Sequence, residues 1–284
     1  MDKGKEAGEV RIYMELSKRL EAVAAFVTAG YTLADIGTDH AYIPIELVRT
    51  GHIPQAIAMD VNRGPLERAE ENIREHGLSE RISTRLSDGF SAMEPGEADS
   101  AVIAGMGGGL TIRILKEGER VVNTLKECIL QPQSEIEKVR AFLLEEGFLF
   151  IAEDMVEEDG KYYPMMKVMP PRKNAQQAGT DRTETGQMVS DRKKEDRADE
   201  GPVGGSGNTG RCDEPWDEAE LCYGKYLLQN RHPVLRRYLE REQRIKRDIL
   251  KGLEGQDSPR ILMRRRELEK ELEYIEKGLT RYAV

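Results

Sequence analysis

The stretch Thr32 Leu33 Ala34 Asp35 Ile36 Gly37 Thr38 Asp39 His40, followed by Ala41 Tyr42 Ile43 Pro44 Ile45 Glu46 Leu47 Val48, decides how the rest of the chain is read. Its first residues are apolar enough to lie inside a sheet, Gly37 offers a turn, and the run after His40 has helical spacing. A strand that turns at glycine into a helix suits a cofactor, because glycine admits a ligand to the main chain and the helix start presents unpaired N–H groups. An ordinary strand-to-helix loop has the same outline, so these residues alone leave both readings open.

Ahead of this stretch, Leu16, Leu20, Val23 and Val27 recur at helical spacing and predict an amphipathic helix over 14–27. Beyond it, 55–60, 81–86, 100–104 and 128–130 read as strands separated by helical segments such as 64–76. Two longer strands, 148–156 and 162–169, flank the turn Glu158 Asp159 Gly160 Lys161. This alternation predicts an α/β fold: a parallel sheet with helices on both faces, ending in an antiparallel hairpin.

From Pro170 to about Pro215 the chain is polar, with almost no large apolar residue apart from neighbours such as Met188 and Val189, and predicts a disordered linker, either a tolerated insertion or a charged tether. From Leu221 helical spacing returns, through Val234, Tyr238, Ile245, Ile249 and Leu253, then Leu268, Leu272, Ile275 and Leu279. Gly255 suits the end of one helix and Ser258 Pro259 the start of the next, which predicts an antiparallel, coiled-coil-like helical hairpin. The expected division is therefore 11–170, 171–220 and 221–284.

The 284 residues contain no run of about 18 apolar residues, and the N-terminus is charged, so a cytoplasmic protein without a membrane partner is expected. Cys128, Cys212 and Cys222 have no metal-like spacing and predict neither a disulfide framework nor a metal site. The net charge of −9 is segregated: −10 over 11–170, −4 over 171–220 and +6 over 221–284. Arg236, Arg237, Arg241 and Arg244, with Lys246, Arg247 and Arg264 to Arg266, make the last segment a candidate for meeting a nucleic-acid backbone; a solvated helix face is the plainer alternative.

Four loops follow the predicted parallel strands, where open α/β sheets bind ligands. They are the opening turn, Asp60 with Val61 Asn62, Ser87 Asp88 Gly89, and Ala104 Gly105 Met106 Gly107 Gly108 Gly109. A dinucleotide-binding turn would place glycine where Asp39 stands, and a carboxylate there repels a pyrophosphate. S-Adenosylmethionine carries a sulfonium and an ammonium and no phosphate, so Asp35 and Asp39 favour it. The acidic turn points to methyl transfer.

Ala34 to Tyr42, Ser87 Asp88 Gly89, Ile103 to Gly108, Leu130 Gln131 Pro132 Gln133 and Tyr223 to Leu228 resemble, in this order, the bacterial transfer-RNA (adenine(22)-N(1))-methyltransferases, the TrmK family. The resemblance implies a Rossmann-like class I methyltransferase sheet with a C-terminal coiled-coil hairpin, methylating N1 of adenosine 22 in tRNA with S-adenosylmethionine as donor. It places Asp35, Gly37, Thr38 and Asp39 around the methionine part of the cofactor, Asp60 at the ribose, Asp88 with Gly89 at the adenine, and Gly105 beside them. Met106, Gly107 and Gly108 are expected to admit the flat substrate base, and the four hairpin arginines the tRNA backbone. Asp39 or His40 is the candidate for facing the base during catalysis; the alternative is that Asp39 holds the cofactor ammonium and His40 caps the following helix. A small-molecule methyltransferase with a dimerising hairpin, or a non-catalytic RNA-binding protein on the same fold, remain the competing readings, although nothing in the sequence calls for a second copy of the chain.

Overall fold

The computed structural model describes residues 16–171 and 215–283. Its elements run α1 (Lys18–Phe26), β1 (Leu33–Ile36), α2 (Tyr42–Arg49), β2 (Ala56–Asp60), α3 (Arg63–Glu75), β3 (Ile82–Leu86), β4 (Ser100–Ala104), α4 (Gly108–Glu117), α5 (Glu119–Val122), β5 (Glu127–Gln131), α6 (Ile136–Glu145), β6 (Leu149–Glu158) and β7 (Lys161–Met169). After the second described stretch begins come α7 (Glu218–Tyr223), α8 (Lys225–Gln229), α9 (Pro233–Gly252) and α10 (Pro259–Thr280). Most of the expected linker, from 172 to 214, lies outside the described residues, as does Cys212, whereas α7 begins inside its expected C-terminal end.

The sheet has the order β3-β2-β1-β4-β5-β7-β6, with β1 to β5 parallel and β6 and β7 antiparallel. Strand order therefore reverses between β1 and β4, which opens a crevice at the C-terminal ends of these two strands. Alternate strand residues serve opposite faces. Leu33, Ala56, Ala58, Val102 and Ile129 pack with α1, α2 and α3, while Ala34, Ile57, Met59, Ile103 and Leu130 pack with α4, α5 and α6. The β6–β7 turn has φ of 51° at Asp159 and 72° at Gly160, the left-handed pair that matches the twist of a two-residue hairpin.

Antiparallel packing of α9 and α10 is fixed by its register: Leu239 lies opposite Gly278, Lys246 reaches Glu271 and Arg247 reaches Glu276. Gly278 has no side chain because Leu239 Cδ1 would lie 3.1 Å from its Cβ. As expected, Ser258 accepts the Ile261 N–H at the start of α10 and Gly255 takes φ 75°. The expected stripe on α9 holds at its base, where Val234 and Tyr238 pack against the core, and not farther along. Leu235 and Leu239 are buried with Met155 of β6, while Ile245 and Ile249 are 39% and 42% exposed.

The hairpin belongs to the same compact unit as the sheet, and a buried ion pair joins them. Arg140 of α6 donates from Nε to Glu153 Oε1 of β6 at 2.8 Å, and both side chains are essentially inaccessible. Arg140 Nη1 also donates to the carbonyls of Leu221 and Cys222, and Glu153 Oε2 accepts the Tyr226 N–H. Gly224 is pressed against this carboxylate, 2.6 Å from where its Cβ would stand. Removing one partner strands a buried charge, which typically costs about 3–5 kcal/mol. Glu153→Ala is therefore expected to lower unfolding stability by about that amount in denaturant titration, and a change below about 1 kcal/mol would contradict this role.

Candidate active site

The opening turn is pinned to the neighbouring strand. Gly37 and Thr38 both donate their N–H groups to the carbonyl of Met59, at 2.7 and 2.8 Å, and Gly37 takes φ 76°. A Cβ on Gly37 would overlap Met106 Cε, so Met106 lies across the turn and joins the loops after β1 and β4. Asp35 is 7% exposed. Burial pushes its carboxyl up to about 6; the hydrogen bond from Thr38 opposes the shift and the nearby Asp60 carboxylate adds to it.

Thr38 is buried, and its hydroxyl accepts the Ala41 N–H at 3.1 Å. It is this hydroxyl, and not His40, that serves the entry to α2, where Ala41 takes φ 55°. His40 stacks on Tyr42, with centroids 4.9 Å apart and planes 8° from parallel, and its Nε2 lies 3.4 Å from Asp39 Oδ2. Asp39 is exposed and bonds Arg68 of α3. Asp60 accepts the Asn62 N–H at 2.7 Å. Asp88 pairs with Arg113 of α4 at 3.1 Å, and Gly89 takes φ 57°. Val61 and Leu86, 56% and 47% exposed, add apolar surface at the ends of β2 and β3.

Gly107 and Gly108 pack closely against the loop after β5. A Cβ on Gly108 would stand 2.5 Å from the Ser134 carbonyl and 3.0 Å from that of Glu135, and one on Gly107 would stand 3.2 Å from Ser134 Oγ. Their missing side chains let the loop after β4 close onto the loop after β5. Gly105, at φ 82°, is exposed and has nothing nearer to its Cβ position than Arg19 Nη1 at 3.7 Å and Gln133 Nε2 at 3.8 Å. Arg19 was not legible as a site residue, since it sits on α1, far from the strand-end loops in sequence. It donates to the buried Gln131 Oε1 at 3.0 Å and lies 5.7 Å from the centre of the Tyr163 ring.

The structure thus gathers Asp35, Gly37, Asp39, His40, Asp60, Asp88, Gly89, Gly105 and Met106 along one edge of the sheet. The hairpin arginines are on α9. Arg236 pairs with Glu240 and Arg237 with Glu157 of β6, Arg241 lies over Tyr162 and 3.9 Å from Glu242, and Arg244 Nε donates to the Glu240 carbonyl. The arginines themselves are exposed, and ion pairs of such surface side chains contribute little. Among the described residues, no group of three or more His, Cys, Asp or Glu is placed to hold a metal, and no helix is long and apolar enough to cross a membrane.

A parallel sheet with a switch point between β1 and β4, and acids rather than a phosphate cradle at its strand ends, defines a methyltransferase-type domain. A methyltransferase-domain family matches residues 16–166. The tRNA (adenine(22)-N(1))-methyltransferase of Bacillus subtilis is 39% identical over 153 residues, 54% of this chain and 64% of that protein, so the match spans just under two thirds of the relative's length. The solved structure of a putative tRNA (m1A22) methyltransferase of Streptococcus pneumoniae is 32% identical, with a TM-score of 0.72, and covers 93% of this chain and 100% of its own. The structure of that protein in complex with S-adenosyl-L-methionine gives 31% identity and a TM-score of 0.70, covering 93% and 100%. The chain belongs to the methyltransferase-domain family and, within it, to the family of the bacterial tRNA (adenine(22)-N(1))-methyltransferases.

Asp35 links the site to stability. The folded state holds this proton more tightly than the unfolded chain does, so its contribution falls as pH rises from about 4 to about 6 and is level above, a total of about 3 kcal/mol for the shift from 3.8 to about 6. Asp35→Asn removes that dependence. Chemical denaturation of the ligand-free protein at pH 7 is expected to show the variant more stable by about 1–3 kcal/mol, with a flatter profile between pH 4 and 6; a less stable variant would contradict the burial argument.

Proposed function

We propose that this protein transfers the methyl group of S-adenosylmethionine to N1 of adenosine 22 in tRNA, in the cytoplasm. The observation that carries the proposal is the set of carboxylates at the strand ends, Asp35, Asp39, Asp60 and Asp88, around a glycine turn with no phosphate cradle. A buried carboxylate with a raised pKa gains when a cation arrives, and the cofactor brings an ammonium and a sulfonium. These residues therefore fit S-adenosylmethionine, which when bound supplies an activated methyl group on a positively charged sulfur.

In this reading Asp35 and the Gly37 main chain hold the methionine part. Asp60 accepts the ribose hydroxyls, Asp88 meets the adenine amino group, and Val61 and Leu86 offer apolar surface to the ring. Met106, across the turn, separates the donor from the space over Gly105 and excludes water from it. N1 of adenine attacks through an in-plane lone pair and needs no prior deprotonation, but the base has to be unpaired or flipped out to be reached. The ring gains positive charge as the new bond forms. Asp39, oriented by Arg68 and His40, stabilises that charge or accepts an N6 proton. The basic hairpin, carrying Arg236, Arg237, Arg241 and Arg244, holds the tRNA backbone through salt-sensitive phosphate contacts.

Incubating the full chain with methyl-labelled cofactor and bulk tRNA, then digesting to nucleosides, is expected to give labelled 1-methyladenosine that maps to position 22. Label in another nucleoside, or none, would overturn the proposal. Asp39→Ala is expected to lower the methylation rate by about a hundredfold, the low end of what a positioned acid or base contributes, with cofactor affinity within about threefold. An unchanged rate would remove Asp39 from the chemistry.

A further inference from the structure

Two of the arginines around the strand-end crevice are already neutralised, Arg68 by Asp39 and Arg113 by Asp88. Arg19 is different. It is half-buried, and among the described residues it makes one side-chain hydrogen bond, to the neutral amide of Gln131, and no ion pair. Its guanidinium is held in place on one side by that buried amide and on another by the Tyr163 ring, and Nη1 and the Gln133 amide stand 3.7 and 3.8 Å from the Cβ position of the exposed Gly105. A guanidinium has five N–H donors, so several remain for a ligand. The sequence around it, 11–170, carries a net charge of −10, which repels a polyanion everywhere except where a cation is presented.

We infer that Arg19 is the phosphate-binding residue of the acceptor pocket: it takes the backbone phosphate beside the target adenosine and so places N1 over Gly105. The inference rests on the tRNA-methyltransferase reading above. The chemistry of the reaction selects the phosphate over the base as its partner. Methylation at N1 puts positive charge on the adenine ring, and a guanidinium against that ring would raise the barrier, whereas one on the flanking phosphate is remote from the developing charge and pairs with a full anion. Gln131 and Tyr163 are positioning residues that fix the guanidinium. The amide of the exposed Gln133, also beside Gly105, is neutral and can border the base without that penalty.

The test compares wild type with Arg19→Ala, Arg19→Gln and Arg19→Lys in methylation of tRNA across a range of salt concentrations, with S-adenosylmethionine affinity measured by calorimetry and folding by thermal unfolding. Loss of one charge-assisted phosphate contact is expected to lower kcat/KM for tRNA about ten- to a hundredfold in Arg19→Ala and Arg19→Gln. The slope of log(kcat/KM) against log salt should become shallower by about 0.7–0.9, the value of one phosphate contact, with cofactor affinity within twofold. Arg19→Lys keeps the charge and should keep the slope while recovering only part of the rate. An unchanged salt slope in Arg19→Gln, or a loss of cofactor affinity that accounts for the loss of rate, would overturn the inference. The wild-type reaction separates the two levels: no transfer to tRNA by wild type overturns the tRNA reading itself, whereas normal wild-type transfer with an unaltered Arg19→Gln overturns the role of Arg19 alone.

Discussion

Asp35 stands near the end of β1, an interior strand, with 7% of its surface exposed, and taking a carboxylate out of water is unfavourable unless other groups replace the lost solvation. Thr38 supplies one hydrogen bond, and the second acid, Asp60, makes matters worse. The turn is held in this unfavourable state from outside: two N–H groups are tied to Met59, Ala41 is bound by Thr38, and Met106 lies over Gly37. A strained, electron-rich pocket that the fold enforces is one that a cation relieves. This constraint distinguishes the site from a dinucleotide cradle built on the same strand–turn–helix outline.

The second constraint is mechanical. Arg140 and Glu153 bring α6, β6 and the junction of α7 with α8 to one buried point, and the hairpin grows from that junction. His232, at the start of α9, adds a contact with Asp154 of β6 at 2.9 Å. Because Met155 of β6 packs with Leu235 and Leu239 of α9, the base of the hairpin shares a core with the sheet. A basic arm fixed in this way can present its arginines at a set distance from the strand-end crevice, which a flexible tether could not do.

Much of this could be read from the chain alone. The strands, the Asp159-Gly160 turn and the Ser258 cap carry local signals, because each depends on residues adjacent in sequence. The capping box of Asp217 and Glu220 was equally local, an acid followed three residues later by Glu, yet it fell in a stretch dominated by polar composition. Arg19, Arg140, Gly108 and Gly278 were not legible, since what each does is decided by a partner brought in from elsewhere in the fold. Thr38 shows the same limit at short range: that its hydroxyl takes the Ala41 N–H at the entry to α2 follows from how the turn is folded. The acids that define the site were legible because charge excludes ligands irrespective of fine geometry.

The most direct test of a buried acid poised for a cation is the proton balance of cofactor binding. Titrating S-adenosylmethionine into the protein by calorimetry, in buffers of different ionisation enthalpy, reads the protons exchanged. At pH 6, where the Asp35 carboxyl is about half protonated, binding should release about half a proton per site, and at pH 7 close to none. Binding with no proton release at pH 6, or no binding at all, would contradict the account.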